Sequence, residues 1–147
     1  MSALTKSEIC ALLPHGGSMC LLDSVESWDE TMIHCRATSH RSPDNPLRRS
    51  KGLDAIVGLE YAAQAMGVHV GLLNPERSTE GSIGYVGAVR DVTIERARLD
   101  DLSGQLTIEA NRLLEGDKSF MYQFRLSADG IDIMTGRASI FLKQVVA

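Results

Sequence analysis

Between Asp54 and Leu73 the chain reads DAIVGLEYAAQAMGVHVGLL, and nearly every position is apolar or small. A largely apolar run of this length predicts one long buried helix, about 30 Å from end to end, with Asp54 as its N-cap and Asn74-Pro75 as its stop. On either side the pattern changes to a period of two, the signature of half-buried strands. Before the helix, a short helix at Thr5 to Leu13 with capping-box spacing between Thr5 and Glu8 precedes strands at Met19 to Ser27 and Thr31 to Ser39. In the second of these, Ile33, Cys35 and Ala37 alternate with His34, Arg36 and Thr38. After the helix come strands at Ser82 to Glu95, Gln105 to Asn111, Ser119 to Ser127 and Ile131 to Leu142, and Asp129-Gly130 marks a hairpin. Leu106, Ile108 and Ala110 form one apolar face, and Phe120, Tyr122, Phe124 and Leu126 another. Two strands, a central helix and about four more strands predict a single α+β domain over residues 1–147, with an antiparallel sheet wrapped around the helix.

Charge and composition narrow the function classes. The chain has 147 residues and a formal net charge of −4, which argues against a nucleic-acid binder. Glu60, Gln64 and His69 interrupt the apolar run, so it reads as a core helix with no membrane span. Cys10, Cys20 and Cys35 form an odd set without a CxxC pair and no signal-peptide pattern opens the chain, so reduced thiols and a cytoplasmic location are expected. No His, Cys, Asp and Glu grouping has metal-ligand spacing, and neither a metal nor a cofactor is expected.

The candidate chemistry sits on the helix. Glu60 and Gln64 are four residues apart and share one face, and a carboxylate within so apolar a rod needs a partner or a function. His69 lies about half a turn round from Glu60, as a packing residue would. Gly58, Gly67 and Gly71 each weaken the helix by up to ~1 kcal/mol against alanine, which predicts close packing against it. His15 reads as structural in a glycine loop, and His34 as an exposed strand residue. The loop from His40 to Gly52 holds Arg41, Arg48, Arg49 and Lys51 beside the helix start. Such a patch suits an acidic partner or a plain solvated loop.

Three stretches in order carry a resemblance. LLPHGGSMCLLDSV (Leu12 to Val25), GLEYAAQAMGV (Gly58 to Val68) and GYVGAVRDVTIERA (Gly84 to Ala97) resemble hotdog-fold beta-hydroxyacyl carrier-protein dehydratases of the FabA/FabZ type. SHRSPDNPLR (Ser39 to Arg48) and GLEYAAQAM (Gly58 to Met66) are similar to the ApeP-like, aryl-polyene branch. The resemblance implies a hotdog dimer acting on a thioester held by acyl carrier protein through its phosphopantetheine. In that family a histidine removes the proton α to the thioester, a helix carboxyl assists loss of the β-hydroxyl, and N–H groups near the helix start polarise the carbonyl. All three are needed because such a proton is weakly acidic.

Carried over by position, the resemblance implies catalytic Glu60 and His40, with Gln64, Ala55, Gly58, Arg48 and Arg49 binding substrate. The family's His-Phe-Pro-Gly motif is missing: Pro46 stands fourteen residues before Glu60, and the nearest candidate, His40, is twenty before it. Three functions are therefore carried forward. The first is dehydration to a trans-2-enoyl product in fatty-acid or polyene-type biosynthesis, by a homodimer or a heterodimer with a related dehydratase. The second is a non-catalytic partner subunit, and the third a hotdog acyl thioesterase.

Overall fold

The computed structural model describes residues 3–13, 19–50, 52–75 and 82–144. Its elements follow the predicted order: α1 (Lys6–Leu12), β1 (Ser24–Trp28), β2 (Met32–Ala37), α2 (Gly58–Leu73), β3 (Ser82–Ile94), β4 (Leu106–Glu115), β5 (Ser119–Ala128) and β6 (Ile131–Gln144). The strands form one antiparallel sheet in the order β1-β2-β4-β5-β6-β3. Every strand from β2 to β6 touches α2, so the sheet curls round the helix in the hotdog arrangement.

The alternation explains which side each strand buries. Ile33, Cys35 and Ala37, then Leu106, Ile108 and Ala110, then Phe120, Tyr122, Phe124 and Leu126 all line the core. Against them α2 turns Tyr61, Ala62, Ala65, Met66 and Val68, all buried. Asp129 and Gly130 both take positive φ (52° and 77°), the backbone of a tight two-residue hairpin turn. The close packing inferred from helix glycines is met at Gly58, where a Cβ would lie 2.7 Å from Leu126 Cδ2 and 3.3 Å from Met134 Cε.

Four local expectations are corrected. The sheet ladder of the first predicted strand starts only at Ser24: Met19 lies in a 3-10 turn, and 20–23 are irregular backbone outside the ladder. β2 stops at Ala37, where Ser39–Arg41 makes a 3-10 turn. The helix begins with a 3-10 turn, Ala55–Val57, capped by Asp54 through its backbone but without a side-chain cap bond. Cys10 and Cys20 are joined in a disulfide, so reduced thiol describes only Cys35. That pairing depends on α1 folding against the segment after it, and no local spacing reveals it.

By length and composition 55–73 is apolar enough to cross a membrane, and half of that stretch is buried inside the chain's own fold. His15 and Lys51 lie outside the described residues.

Candidate active site

Glu60 stands in the first turn of α2 and is half-buried. Its Oε1 accepts a hydrogen bond of 3.3 Å from Gln64 Nε2, the i,i+4 contact that the sequence spacing implied. Among the described residues Gln64 is its only hydrogen-bond partner.

Gln64 itself is buried, and its amide reads backbone from an unexpected place. Nε2 donates to Met19 O at 2.6 Å, and Oε1 accepts from Leu21 N–H at 2.9 Å. Backbone bonds that a strand partner would make are thereby made by a side chain, which explains how Cys20, Leu21 and Leu22 stay buried outside the ladder. Ser39 Oγ adds a bond to Leu21 O at 2.7 Å, and Lys6 Nζ donates to Cys20 O and Leu22 O at 3.0 and 2.9 Å. The strip is fixed from both sides.

The loop before the helix is pinned by a network that the sequence pattern did not single out. Tyr61 OH is 2.7 Å from Ser39 Oγ and accepts from Asn45 Nδ2 at 3.1 Å. Asn45 Nδ2 also donates to Ser39 O at 2.9 Å, and its Oδ1 accepts from Leu47 N–H at 2.9 Å. Burial pushes the Tyr61 phenol above its ordinary pKa, so it stays a neutral hydrogen-bonding group. Asn45 in a turn of the loop was the available signal, but its partner Tyr61 stands on α2, sixteen residues away.

His40 is fully buried at the 3-10 turn after β2. Its Nε2–H donates to Leu102 O at 3.1 Å, which leaves Nδ1 as the acceptor nitrogen, and Nδ1 has no partner. Burial is the largest influence on the ring and holds its pKa below the usual histidine value. Among the described residues no hydrogen bond or ion pair joins His40 to Glu60.

The remaining predicted positions are placed as follows. The Ala55 N–H is taken by Ala97 O at 2.9 Å, and the Gly58 N–H by carbonyls of the turn before it, so both donors are used inside the chain. Arg48 is 3.8 Å from Asp100, while Arg41 and Arg49 are exposed. Asp100 also holds Arg98 and accepts from Leu53 N–H at 3.0 Å, and the Arg98 bond keeps its carboxyl well below the usual carboxylate range. His69 is buried, with Nδ1 2.6 Å from Tyr122 OH and Nε2 2.7 Å from Asp29 O, which is the packing role expected of it. His34 is half-buried, where the sequence reading had it exposed, because β1 and β4 flank β2. Among the described residues no three His, Cys, Asp or Glu side chains are grouped to hold a metal ion.

A curled antiparallel sheet on one helix, with a carboxylate–amide pair at that helix's start, defines a hotdog protein of the thioesterase and dehydratase kind. The family model "ApeP-like: ApeP dehydratase" matches residues 7–146, and the chain belongs to this family. Among solved structures it is similar to the dehydratase heterocomplex ApeI:P from Xenorhabdus doucetiae, with 27% identity, a TM-score of 0.82, and 92% of this chain and 91% of that one covered. A mutant thioesterase from Pseudomonas aeruginosa shares the fold at 16% identity and a TM-score of 0.68, covering 97% and 96% of the two chains. A hypothetical thioesterase with coenzyme A from Streptococcus pneumoniae does so at 14% identity and 0.58, covering 84% and 87%. No curated protein matches.

Proposed function

We propose that the chain is one subunit of a dehydratase dimer that converts a beta-hydroxyacyl thioester on acyl carrier protein into the trans-2-enoyl thioester, with the cytoplasmic setting read from the sequence. The observation that carries this reading is Glu60, a half-buried carboxyl in the first turn of α2, anchored through Gln64. A base takes the α proton, the electron pair forms the new double bond, and the β-hydroxyl departs with a proton from Glu60. His40 is the provisional base: its tautomer is fixed by Leu102 O and its Nδ1 lone pair is unused. Gly58 lets the helix start sit against Leu126 and Met134. The Ala55 and Gly58 N–H groups are already bonded, so it is the dipole of the helix start that favours charge on the thioester carbonyl. Exposed Arg41 and Arg49 supply the positive surface for an acidic carrier, with Arg48 beside them.

The test is mass analysis of a hydroxyacyl carrier protein incubated with wild type, Glu60→Gln and His40→Ala. Loss of one water in the wild type, abolished by Glu60→Gln, is expected. Equal turnover in all three overturns the residue assignment, and release of free thiol instead of the enoyl product identifies a thioesterase.

A second reading, the partner subunit whose sister supplies the histidine, is favoured by the enclosure of His40. It is also favoured by the similarity to a dehydratase heterocomplex. β3 is an edge strand carrying exposed Tyr85, Val86 and Val89, and Ile56 lies exposed at the helix start. Such an edge suits a second subunit. Robust dehydration by the isolated homodimer rules this reading out, and activity only on mixing with a related dehydratase establishes it.

A further inference from the structure

α1 is tied to the strip that orients the candidate site. Cys10, in α1, is bonded to Cys20, and their Cα atoms are 5.7 Å apart. Cys20 stands between the two residues that Gln64 holds, Met19 through its carbonyl and Leu21 through its N–H. Lys6, one turn before Cys10, bonds the carbonyls of Cys20 and Leu22. One covalent tether and one ammonium thus fasten α1 to the backbone that positions Gln64, and Gln64 in turn holds Glu60. The third cysteine takes no part: Cys35 is buried in β2, and burial pushes its thiol up to about 12.

We infer that Cys10 and Cys20 form a redox-modification site whose oxidation state sets how firmly the 19–22 strip, and through it Gln64 and Glu60, is held. This rests on the reading of Glu60 and Gln64 as site residues. In the oxidised form the strip has the covalent tether, Lys6, Ser39 and Gln64 as restraints. In the dithiol form α1 stays anchored by buried Ile9 and by Lys6, but the strip loses its one covalent tether and can leave Gln64 without unfolding the sheet. The chemistry balances with a small-molecule thiol and its disulfide. A thiolate attacks Cys10, the half-buried partner, displaces Cys20 and forms a mixed disulfide. A second small thiol resolves it, so the protein gains two electrons and two protons while two small thiols become one disulfide. Oxidation runs the same steps backward.

The test uses the full wild-type chain equilibrated across ratios of reduced and oxidised glutathione, quenched by alkylation and counted by mass. Hydrogen exchange is read at the Leu21 amide, whose acceptor is Gln64, and at the Ile108 amide in central β4. Reduction is expected to add two alkylated cysteines and to speed Leu21 exchange by about tenfold while Ile108 is unchanged. Cys10→Ser is expected to behave as reduced at every ratio; should it not fold, the wild-type titration still decides. Unchanged Leu21 exchange, equal acceleration at both amides, or two thiols that never pair under oxidising ratios overturns the inference. Dehydration measured alongside separates the two readings. A redox-dependent Leu21 with no turnover in any state, alone or mixed with a related dehydratase, removes the proposed function and leaves the clip standing.

Discussion

Replacing Gln64 with leucine tests the central contact of the site on its own terms. Leucine matches the volume but removes both bonds to the strip, at 2.6 Å to Met19 O and 2.9 Å to Leu21 N–H. Each hydrogen bond contributes about 1 kcal/mol net, and each buried group left unpaired costs about 1–3 kcal/mol. Part of that is recovered by the apolar side chain, which gives a net loss of about 3 kcal/mol. For a chain of 147 residues the unfolding entropy is about 0.3 kcal/mol/K, so the expected drop in Tm is about 10 °C. Calorimetry and urea denaturation measure it at a fixed redox ratio. Gln64→Glu sharpens the test. It keeps an acceptor for Leu21 but sets oxygen against Met19 O and a second carboxylate one turn from Glu60. Like charges at that spacing raise each other's pKa, so this variant's deficit shrinks as pH falls from 7 to 5. A loss below about 1 kcal/mol for Gln64→Leu refutes the claim that this amide substitutes for a missing strand.

Three further outcomes follow from the same geometry. Gly52 has φ +111°, and a Cβ there would collide with the Arg98 and Asp100 side chains, so Gly52→Ala lowers stability by about 2 kcal/mol or more in urea denaturation. Asp100 titrates below its ordinary 3.8, so it adds stability above that pH which is lost on acidification; Asp100→Asn flattens the acid limb of a stability–pH curve. His40 and His69 are both held below the ordinary 6.5 by burial, so the unfolded chain takes up protons first. Stability falls between about pH 7 and pH 5, and His69→Gln removes part of that slope in chemical denaturation.

The fold was legible because its signals are local. Period-two strands such as 119–127 show their buried face in the residues themselves, and Asp129-Gly130 encodes its turn in two φ values. Half of the site was legible for the same reason, since Glu60 and Gln64 meet through helical spacing. What escaped depends on distant partners. Gln64 reaches backbone forty-three and forty-five residues earlier, and Cys10 meets Cys20 only once α1 has packed. The irregular stretch at 19–23 carries the apolar content of a strand, and the sequence pattern cannot distinguish ladder bonds from bonds made by side chains.

His40 is where the two functional readings part. The Leu102 bond fixes the tautomer that a base requires, yet the ring is enclosed, and the loop above it is held by Ser39, Asn45 and Tyr61. To act within its own chain, His40 must be uncovered, and the acid limb of kcat/KM then reports the protonation of this ring. If the sister subunit supplies the base, His40 is a structural histidine and the limb belongs to another residue. The pH–rate profile of the dimer carrying His40→Gln distinguishes them: loss of the limb assigns the proton transfer to His40. An unchanged limb with reduced thermal stability removes His40 from the chemistry and leaves Glu60 as this chain's one contribution to it.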